Sequence, residues 1–404
     1  MLKLSLNKVV LACMLFFPIT TILQGMPIFN LINKTVIFLM VLLILIGCFI
    51  DKIEVVDLGL VILALGLSIY TFVISQGDFY NPNMVIYLGF WVIFFVYIKN
   101  QYASIMDVLE KNIFLLEAAV VVWNILVFIS FFVESSYVST WGGRYFQSFS
   151  NGEHRFASTC LLAFCLGWIL YKKRNRRRYL LLLVIPFIGF FICGARTYIG
   201  VIIIYILALC FIELRNKKVF LFAGAFLLAL AGWLIPLTPT GSKFLYTYSQ
   251  AVESLDFWAA ITNGRNLFWA VDLDAYSKLG SIDKFLGKGI NYVYEINYYS
   301  GHGLIWAHND FINLLLTSGL AGLFLYLYVF YLFIKVGVEK ERDKAEKGSS
   351  AIKLTLFFFL AIWGINAMFN MVYTYTCSVL AVPFIFYTLT RKDKDGHYEI
   401  REND

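Results

Sequence analysis

The sequence predicts an all-α, polytopic membrane protein with about twelve transmembrane helices and one large extracytoplasmic loop that contains short helices. The first observation is composition: 60% of the residues are hydrophobic, 15% are charged, and the mean hydropathy is +0.75, whereas about a quarter of the residues of soluble domains are charged. The second is a series of apolar runs, each roughly 15 to 25 residues long, and a helix of about 20 apolar residues crosses a bilayer. The third is a polar segment, 237–308, that interrupts the series.

The apolar runs are predicted to be helices because every backbone polar group in lipid needs an internal partner, and the alternation typical of a membrane barrel is absent. The predicted spans are 8–24, 35–50, 55–75, 84–98, 113–133, 156–171, 179–193, 198–214, 219–236, 309–335, 352–369 and 376–390. The first run is not followed by the pair of small residues that marks a signal-peptide cleavage site, so we interpret it as a transmembrane helix and not as a cleaved signal peptide. The predicted organisation is therefore helices 1–9 in 1–236, the polar loop 237–308, helices 10–12 in 309–390, and a cytoplasmic tail, 391–404.

Lys and Arg in the short loops indicate the orientation, because cytoplasmic loops carry an excess of both residues. One set of loops carries most of them, including the run 172–178. The opposite short loops contain only Lys34, Arg144, Arg155 and Arg196. Both termini are therefore predicted to be cytoplasmic. The segments predicted to lie outside are 134–155, 194–197 and 237–308. The net charge of +7 is explained by these topology anchors, and nucleic acid is not expected as a partner.

The seven cysteines all lie within or at the edge of apolar runs. None lies in a polar loop with the spacing that metal ligands require. We therefore interpret them as small buried hydrophobic residues, and we expect neither a disulfide framework nor a zinc site.

The polar segment contains a predicted helix that begins after Thr262 or Asn263, either of which could cap it, and ends near Leu279, with Gly280 as its stop. One face of this helix is apolar and consists of Phe268, Val271, Ala275 and Leu279. Arg265 would lie in the first turn, where the helix dipole favours acidic side chains. A cation placed against that preference suggests an anionic ligand.

Three polar residues are candidates for chemistry on the outer side. Arg196 is a lone cation in a tight turn between two spans, Arg265 lies in the polar loop, and His308 lies where the tenth span begins. Ionisable residues at a bilayer edge are functional candidates by default. Two arginines can bind a pyrophosphate in bidentate fashion, and a histidine can accept a proton near neutral pH. The alternatives are a lipid-headgroup contact, a solvated loop residue and a helix cap, respectively.

Several short motifs follow one another over residues 190–335. They are Arg265 with Trp269, Gly287-x-Gly289, His308-Asn309 and Gly319-Leu320-Ala321-Gly322-Leu323. Their order and spacing resemble the pattern of the O-antigen polymerase and O-antigen ligase superfamily. The turn Gly194-Ala195-Arg196-Thr197 resembles its second signature, a small-small-Arg-Thr segment between two spans. The N-terminal spans match this superfamily only in number and hydropathy.

The resemblance implies a glycosyltransferase that uses no metal or other cofactor, lies in the bacterial cytoplasmic (inner) membrane, and has 237–308 as its catalytic loop. Arg196 and Arg265 would bind the pyrophosphate of the donor, and His308 would activate or orient the acceptor hydroxyl. Further substrate contacts are expected from Trp269, Asn309, Arg144 and Arg155. The implied partners are undecaprenyl-pyrophosphate-linked oligosaccharides as donor and acceptor, the bilayer, and a chain-length regulator and flippase of the same pathway.

Some of these residues have structural alternatives. Arg144 and Arg155, with Glu153 and His154 between them, could line the acceptor path or be ordinary solvated loop residues. The Gly287-x-Gly289 pair is interpreted as a turn that needs no phosphate. Gly319 and Gly322 are interpreted as positions that permit close helix packing.

The leading functional hypothesis is a polysaccharide polymerase that transfers a growing lipid-linked chain onto the next lipid-linked repeat unit, in capsule, exopolysaccharide or O-antigen synthesis. A ligase would use the same donor and another acceptor, such as a lipid A core. A transporter of lipid-linked sugars would suit twelve spans but would not need the large outer loop. A polyprenyl-phosphate-sugar transferase with an acidic base in its first outer loop is disfavoured, because the loop 24–34 has no Asp or Glu.

Overall fold

The computed structural model describes residues 2–50, 54–75, 82–140, 143–214, 217–254, 258, 262, 264–300, 306–342 and 349–390. Within these residues the protein is almost entirely helical, and its one sheet is a two-stranded antiparallel hairpin. The prediction of a helical fold is confirmed. Asn263, His302 and the tail 391–404 lie outside the described residues.

The helices that precede the polar segment are α1 (Leu2–Ile22), α2 (Pro27–Ile50), α3 (Val55–Ile74), α4 (Pro82–Lys111), α5 (Ile113–Ser130), α6 (Glu153–Arg174), α7 (Val184–Ile192), α8 (Arg196–Glu213) and α9 (Lys217–Leu234). The hairpin between α5 and α6 consists of β1 (Tyr137–Thr140) and β2 (Gly143–Phe146). The remaining helices are α10 (Pro239–Ser254), α11 (Arg265–Ser277), α12 (Ser281–Leu286), α13 (Gly289–Tyr299), α14 (Asp310–Arg342), α15 (Ser349–Asn370) and α16 (Thr376–Thr390).

Among the described residues, eight helices are long and apolar enough to cross a membrane: α2, α3, α5, α6, α8, α9, α14 and α15. Parts of α1 and α16 are apolar but shorter. The chain is therefore a helical membrane protein, and the count of twelve spans remains a prediction. The predicted seventh span, 179–193, is a 3-10 helix followed by the short α7. Pro186 fits the first turn of α7, where its missing N–H has no helical partner to lose.

The interior of the bundle is rich in aromatic side chains. Trp91, Trp123, Tyr205 and Tyr326 are among the largest fully buried residues, and such rings bury more apolar area than any other side chain. Around them α1 contacts α2, α4, α5 and α6, while α16 packs on α6 and α15 packs on α8. This packing brings the N-terminal ends of α6 and α8 and the turn between α15 and α16 into one region.

The predicted tenth span, 309–335, is broken at Gly319. This residue has φ 65° and ψ −166° inside α14, a combination that glycine adopts almost alone. In an unbroken helix Asp310 and Tyr326 would be about 24 Å apart along the axis, yet the Tyr326 hydroxyl donates to Asp310 Oδ2 at 2.6 Å. The two halves of α14 therefore fold back toward each other, and residues 310–318 form a separate short helix ahead of the long one.

The glycines of the two predicted motifs lie against each other at this break. A Cβ atom at Gly287 would overlap the backbone of Thr317 and Ser318, and one at Gly319 would overlap the carbonyl of Phe285 and the amide of Gly287. The Lys288 N–H donates to the Leu316 carbonyl at 2.8 Å. The Gly287 turn and the Gly319 break therefore form one contact between α12 and α14, in which both close packing and a positive φ require glycine.

The polar segment 237–308 contains α10 to α13. The predicted helix of this segment is α11, which ends two residues before the predicted Leu279, and its predicted apolar face is the one turned inward, with Phe268 and Leu279 buried. Gly264, with φ 75°, is the residue that precedes the helix. The Thr262 hydroxyl accepts a hydrogen bond from the Asn266 N–H at 3.2 Å, so Thr262 satisfies one of the free amides of the first turn.

Candidate functional site

The start of α6, the turn before α8 and the start of α10 are in direct contact. Lys243 Nζ on α10 is 2.9 Å from Glu153 Oε2 on α6. Arg196 Nη1 donates to the Lys243 carbonyl at 3.3 Å, and its guanidinium lies 4.9 Å from the centre of the Phe244 ring. The Gly194 N–H donates to Thr240 Oγ1 at 2.9 Å. The predicted turn at 194–197 is therefore held by α10, which brings Lys243 beside Arg196.

The hairpin places Tyr145, and not the predicted Arg144, at this contact. The Tyr145 ring packs on Gly194, where a Cβ atom would lie 2.7 Å from it, and Lys243 Nζ is 5.0 Å from the ring centre. Successive strand residues point to opposite faces. Arg144 therefore points away from this contact and is exposed. Its Nη2 atom is 2.5 Å from Glu134 Oε2, and its guanidinium carbon is 4.2 Å from the centre of the Tyr137 ring.

Arg265 reaches the same region from α11. Its Nη1 atom donates to the Phe369 carbonyl at the end of α15. Burial, and then the positive charge of Arg196, lower the pKa of Arg265 to about 10, so the side chain stays charged at neutral pH. The tertiary fold thus brings the two predicted arginines close enough for their charges to repel each other, a free-energy cost that a bound anion would offset.

His308 lies beside Arg265 in an unusual backbone conformation. Its φ is 48°, in the left-handed region that residues other than glycine rarely adopt. Such strain often marks a functional position. Burial, and then the charge of Arg265, lower the pKa of His308 to about 3. The imidazole is therefore neutral at physiological pH.

Asn309 and Trp269 have structural partners in this region. Asn309 Oδ1 accepts hydrogen bonds from the N–H groups of Phe311 and Ile312 at 3.0 and 3.1 Å, so the helix cap is Asn309 and not His308. The Trp269 indole N–H donates to the Ala307 carbonyl at 2.8 Å. Trp269 therefore ties the turn after Arg265 to the residue before His308 and sets their separation.

Three residues that the motif pattern did not select complete the site. Lys243 lies in the polar segment 237–308, where no motif in the neighbouring sequence marks it as a site residue. Tyr375 follows the turn between α15 and α16, and burial raises the pKa of its hydroxyl to about 12. His154, the second residue of α6, has its ring centre 6.1 Å from that of Tyr375. In the sequence, His154 is one of several candidate residues of the outer loop 134–155.

Arg155, the third residue of α6, is a further cation of this region. Its Nη1 atom donates to the Ser150 carbonyl at 3.0 Å, and its charge acts on the Tyr375 hydroxyl together with that of Arg265. Among the described residues, Arg196 and Lys243 bring the number of cations around the site to four, and two carboxylates accompany them: Glu153, which pairs with Lys243, and Asp310, whose charge acts on Tyr375. This excess of positive charge suits an anionic ligand with more than one negative charge.

No known protein family has a model that matches this chain, and no curated protein matches it. The family resemblance therefore rests on the motif residues of the sequence.

Proposed function

We propose that the chain is a polysaccharide polymerase of the bacterial cytoplasmic membrane. It would transfer an undecaprenyl-pyrophosphate-linked glycan onto a lipid-linked repeat unit, at the outer face. The proposal includes twelve transmembrane helices, cytoplasmic termini and an extracytoplasmic segment 237–308. The distribution of Lys and Arg among the short loops supports this orientation.

The observation that carries the proposal is the meeting of Arg196 and Arg265 beside His308. These residues belong to three different elements, and the charge of Arg196 acts on Arg265, which acts in turn on His308. Two guanidinium groups can hold the two phosphates of a pyrophosphate through planar, paired hydrogen bonds. The same positive charge would stabilise the negative charge that grows on the leaving group.

In the proposed reaction the acceptor hydroxyl attacks the anomeric carbon of the donor sugar. The bond from that carbon to the pyrophosphate oxygen breaks, and undecaprenyl pyrophosphate leaves with the electron pair. His308 takes the hydroxyl proton. With a pKa of about 3 His308 is a weak base in the empty site, but a bound pyrophosphate would offset the charge of Arg265 and raise that pKa. A bound donor would therefore strengthen the base by removing the smaller of the two effects, while burial, the larger effect, remains.

Deletion of the gene, followed by analysis of lipid-linked glycans, tests the proposal. Accumulation of single lipid-linked repeat units on the outer face is the expected result. Full-length lipid-linked polymer would instead indicate a ligase, since the same donor would have been built but not transferred to its final acceptor. Repeat units confined to the cytoplasmic face would indicate a transporter and would overturn the proposal.

A further inference from the structure

His154 has a buried polar atom that none of the described neighbours satisfies. Its Nδ1 atom is buried and has no hydrogen-bond partner among the residues that the structure describes. Leaving a buried polar atom unpaired costs about 1–3 kcal/mol, so such an atom needs an explanation, for example a ligand. The neighbouring Glu153 is engaged with Lys243, and the next residue, Arg155, with Ser150. Between these two engaged side chains, His154 Nδ1 has no partner in the part of the chain that the structure describes.

The surroundings of His154 are positively charged. Arg265, Lys243 and Arg196 all act on its imidazole electrostatically. These are the cations assigned above to the anion site. Burial, and then these charges, lower the pKa of His154 well below its usual value, so the ring stays neutral, with one N–H donor and one acceptor nitrogen. A bound anion accepts hydrogen bonds, so it would pair with an imidazole whose N–H donor is at Nδ1.

We propose that His154 donates a hydrogen bond from Nδ1 to a phosphate oxygen of the anion held by Arg196 and Arg265, as a third and uncharged contact. This inference rests on the proposed function, because it takes the pyrophosphate of the lipid-linked donor as the ligand. It makes His154 a donor-binding residue and leaves His308 as the base.

Two substitutions separate this role from others. In His154→Asn the side-chain amide N–H lies close to the position of Nδ1, so the donor is kept. In His154→Leu the volume is similar and the donor is lost. Should His154→Leu fail to fold, His154→Gln takes its place, since its longer side chain carries the N–H past the position of Nδ1. His397→Leu, in the tail, is the control for the same chemical change elsewhere.

The experiment measures the affinity of the full-length protein in nanodiscs for farnesyl pyrophosphate, with melting temperature as a check on folding. His154→Leu should bind roughly 10-fold to 100-fold more weakly than the natural protein, which corresponds to one hydrogen bond to a charged group. His154→Asn should stay within about threefold, and His397→Leu should be unchanged.

The other outcomes are decisive in different ways. Unchanged affinity in His154→Leu would overturn the role of His154 while leaving the pyrophosphate site intact. An equal loss in both His154→Leu and His154→Asn would show that the imidazole itself is needed, which would also overturn donation from Nδ1. If the natural protein does not bind the probe, both this inference and the proposed function fail.

Discussion

The two arginines of the candidate site each make a structural hydrogen bond in addition to their proposed contact with a ligand. Arg265 donates to the Phe369 carbonyl and acts electrostatically on His308, while Arg196 donates to the Lys243 carbonyl. Each arginine therefore holds a neighbouring backbone segment through one N–H group of its guanidinium. Hydrogen bonds to a ligand would come from the other N–H groups of the same guanidinium. Guanidinium geometry, in addition to charge, is what these positions require.

Arg196→Lys and Arg265→Lys should each weaken the use of the lipid-linked donor although charge is kept. Lysine provides a point charge and cannot reproduce two parallel hydrogen bonds. The measurement is transfer rate at limiting donor. Lys278→Arg is the control, since Lys278 is exposed and, among the described residues, forms an ion pair with its helix neighbour Asp274. Full activity of both Lys variants would mean that the arginines are structural.

His308→Ala should lower the transfer rate by roughly 10²–10⁴, the usual range for a lost general base. Donor affinity should persist, because the proposed contacts to pyrophosphate come from other residues. Alanine at φ 48° keeps a strained backbone, so His308→Gly is the companion variant that removes both the imidazole and the strain. A near-normal rate in either variant would remove the catalytic role of His308.

At the scale of elements, α12, α13 and α14 lock the polar segment to the bundle. The Gly287 turn packs on the Gly319 break, and the Ile290 N–H donates to Ser75 Oγ at the end of α3 at 2.8 Å. Close backbone contact at these points leaves no room for side chains. His308, which lies just before α14, depends on this contact for its position.

Gly319→Ala should destabilise the protein, because alanine there combines a glycine-only backbone conformation with overlap of the Phe285 carbonyl. Backbone strain alone costs roughly 1–3 kcal/mol. The measurement is the melting temperature in detergent. Gly364→Ala is the matched control: it lies inside α15 with no atom within 4 Å of the added Cβ, and should be neutral or slightly stabilising. Equal effects of the two would contradict the proposed packing role.

A second contact joins α11 to α13 through a buried acid and amide. Asn297 Nδ2 donates to Asp272 Oδ1 at 3.0 Å, and both residues are fully buried. Asp272 Oδ2 and Asn297 Oδ1 have no partner among the described residues. A proton on Asp272 would supply the missing second hydrogen bond between them. Burial raises the pKa of Asp272 to about 7, which favours that protonated form.

This pair should make stability depend on pH. Because the folded-state pKa of Asp272 is raised, its contribution is complete below about pH 4 and is lost as the pH rises through about 7. Among the described residues no charged group on α11, α13 or α14 changes this pKa, and Asp274 and Lys278 pair with each other at the exposed face.

Asp272→Asn mimics the protonated acid at every pH, so its melting temperature should exceed that of the natural protein by an amount that grows from pH 5 to pH 8. Thermal scans across this range provide the measurement. Asn297→Asp is the counterpart, since it places two carboxyls together and should destabilise the protein most at high pH. A difference between Asp272→Asn and the natural protein that does not vary with pH would contradict the acid–amide pair.

At the scale of the whole molecule, the candidate site requires one orientation. A tag after residue 404 and a tag in the loop 172–178 should report the cytoplasm, and a tag near residue 250 should report the outside, as the Lys and Arg distribution predicts. Accessibility of engineered cysteines to a membrane-impermeant reagent checks the same points. Cytoplasmic exposure of residue 250 would place the segment that carries Arg265 in the wrong compartment and would end the mechanistic proposal.

The sequence alone determined the helical membrane class, the positions of the eight long apolar helices among the described residues, and the apolar face of α11. These features depend on hydrophobicity and spacing, which are local properties of the chain. It also suggested Arg196, Arg265 and His308 as candidates, because isolated ionisable residues at apolar boundaries stand out by themselves.

The tertiary structure alone decided what these residues are near. The reversal at Gly319 depends on contact with Phe285 and Gly287, and Lys243 joins Arg196 only because α10 packs on the turn before α8. The exposed position of Arg144 follows from its place in strand β2, where alternate residues point to opposite faces. The all-helical prediction did not include this hairpin. Contacts of this kind join residues that are far apart in the chain. Local sequence patterns cannot predict them, because packing and electrostatic interactions depend on distance in space and not on distance along the chain.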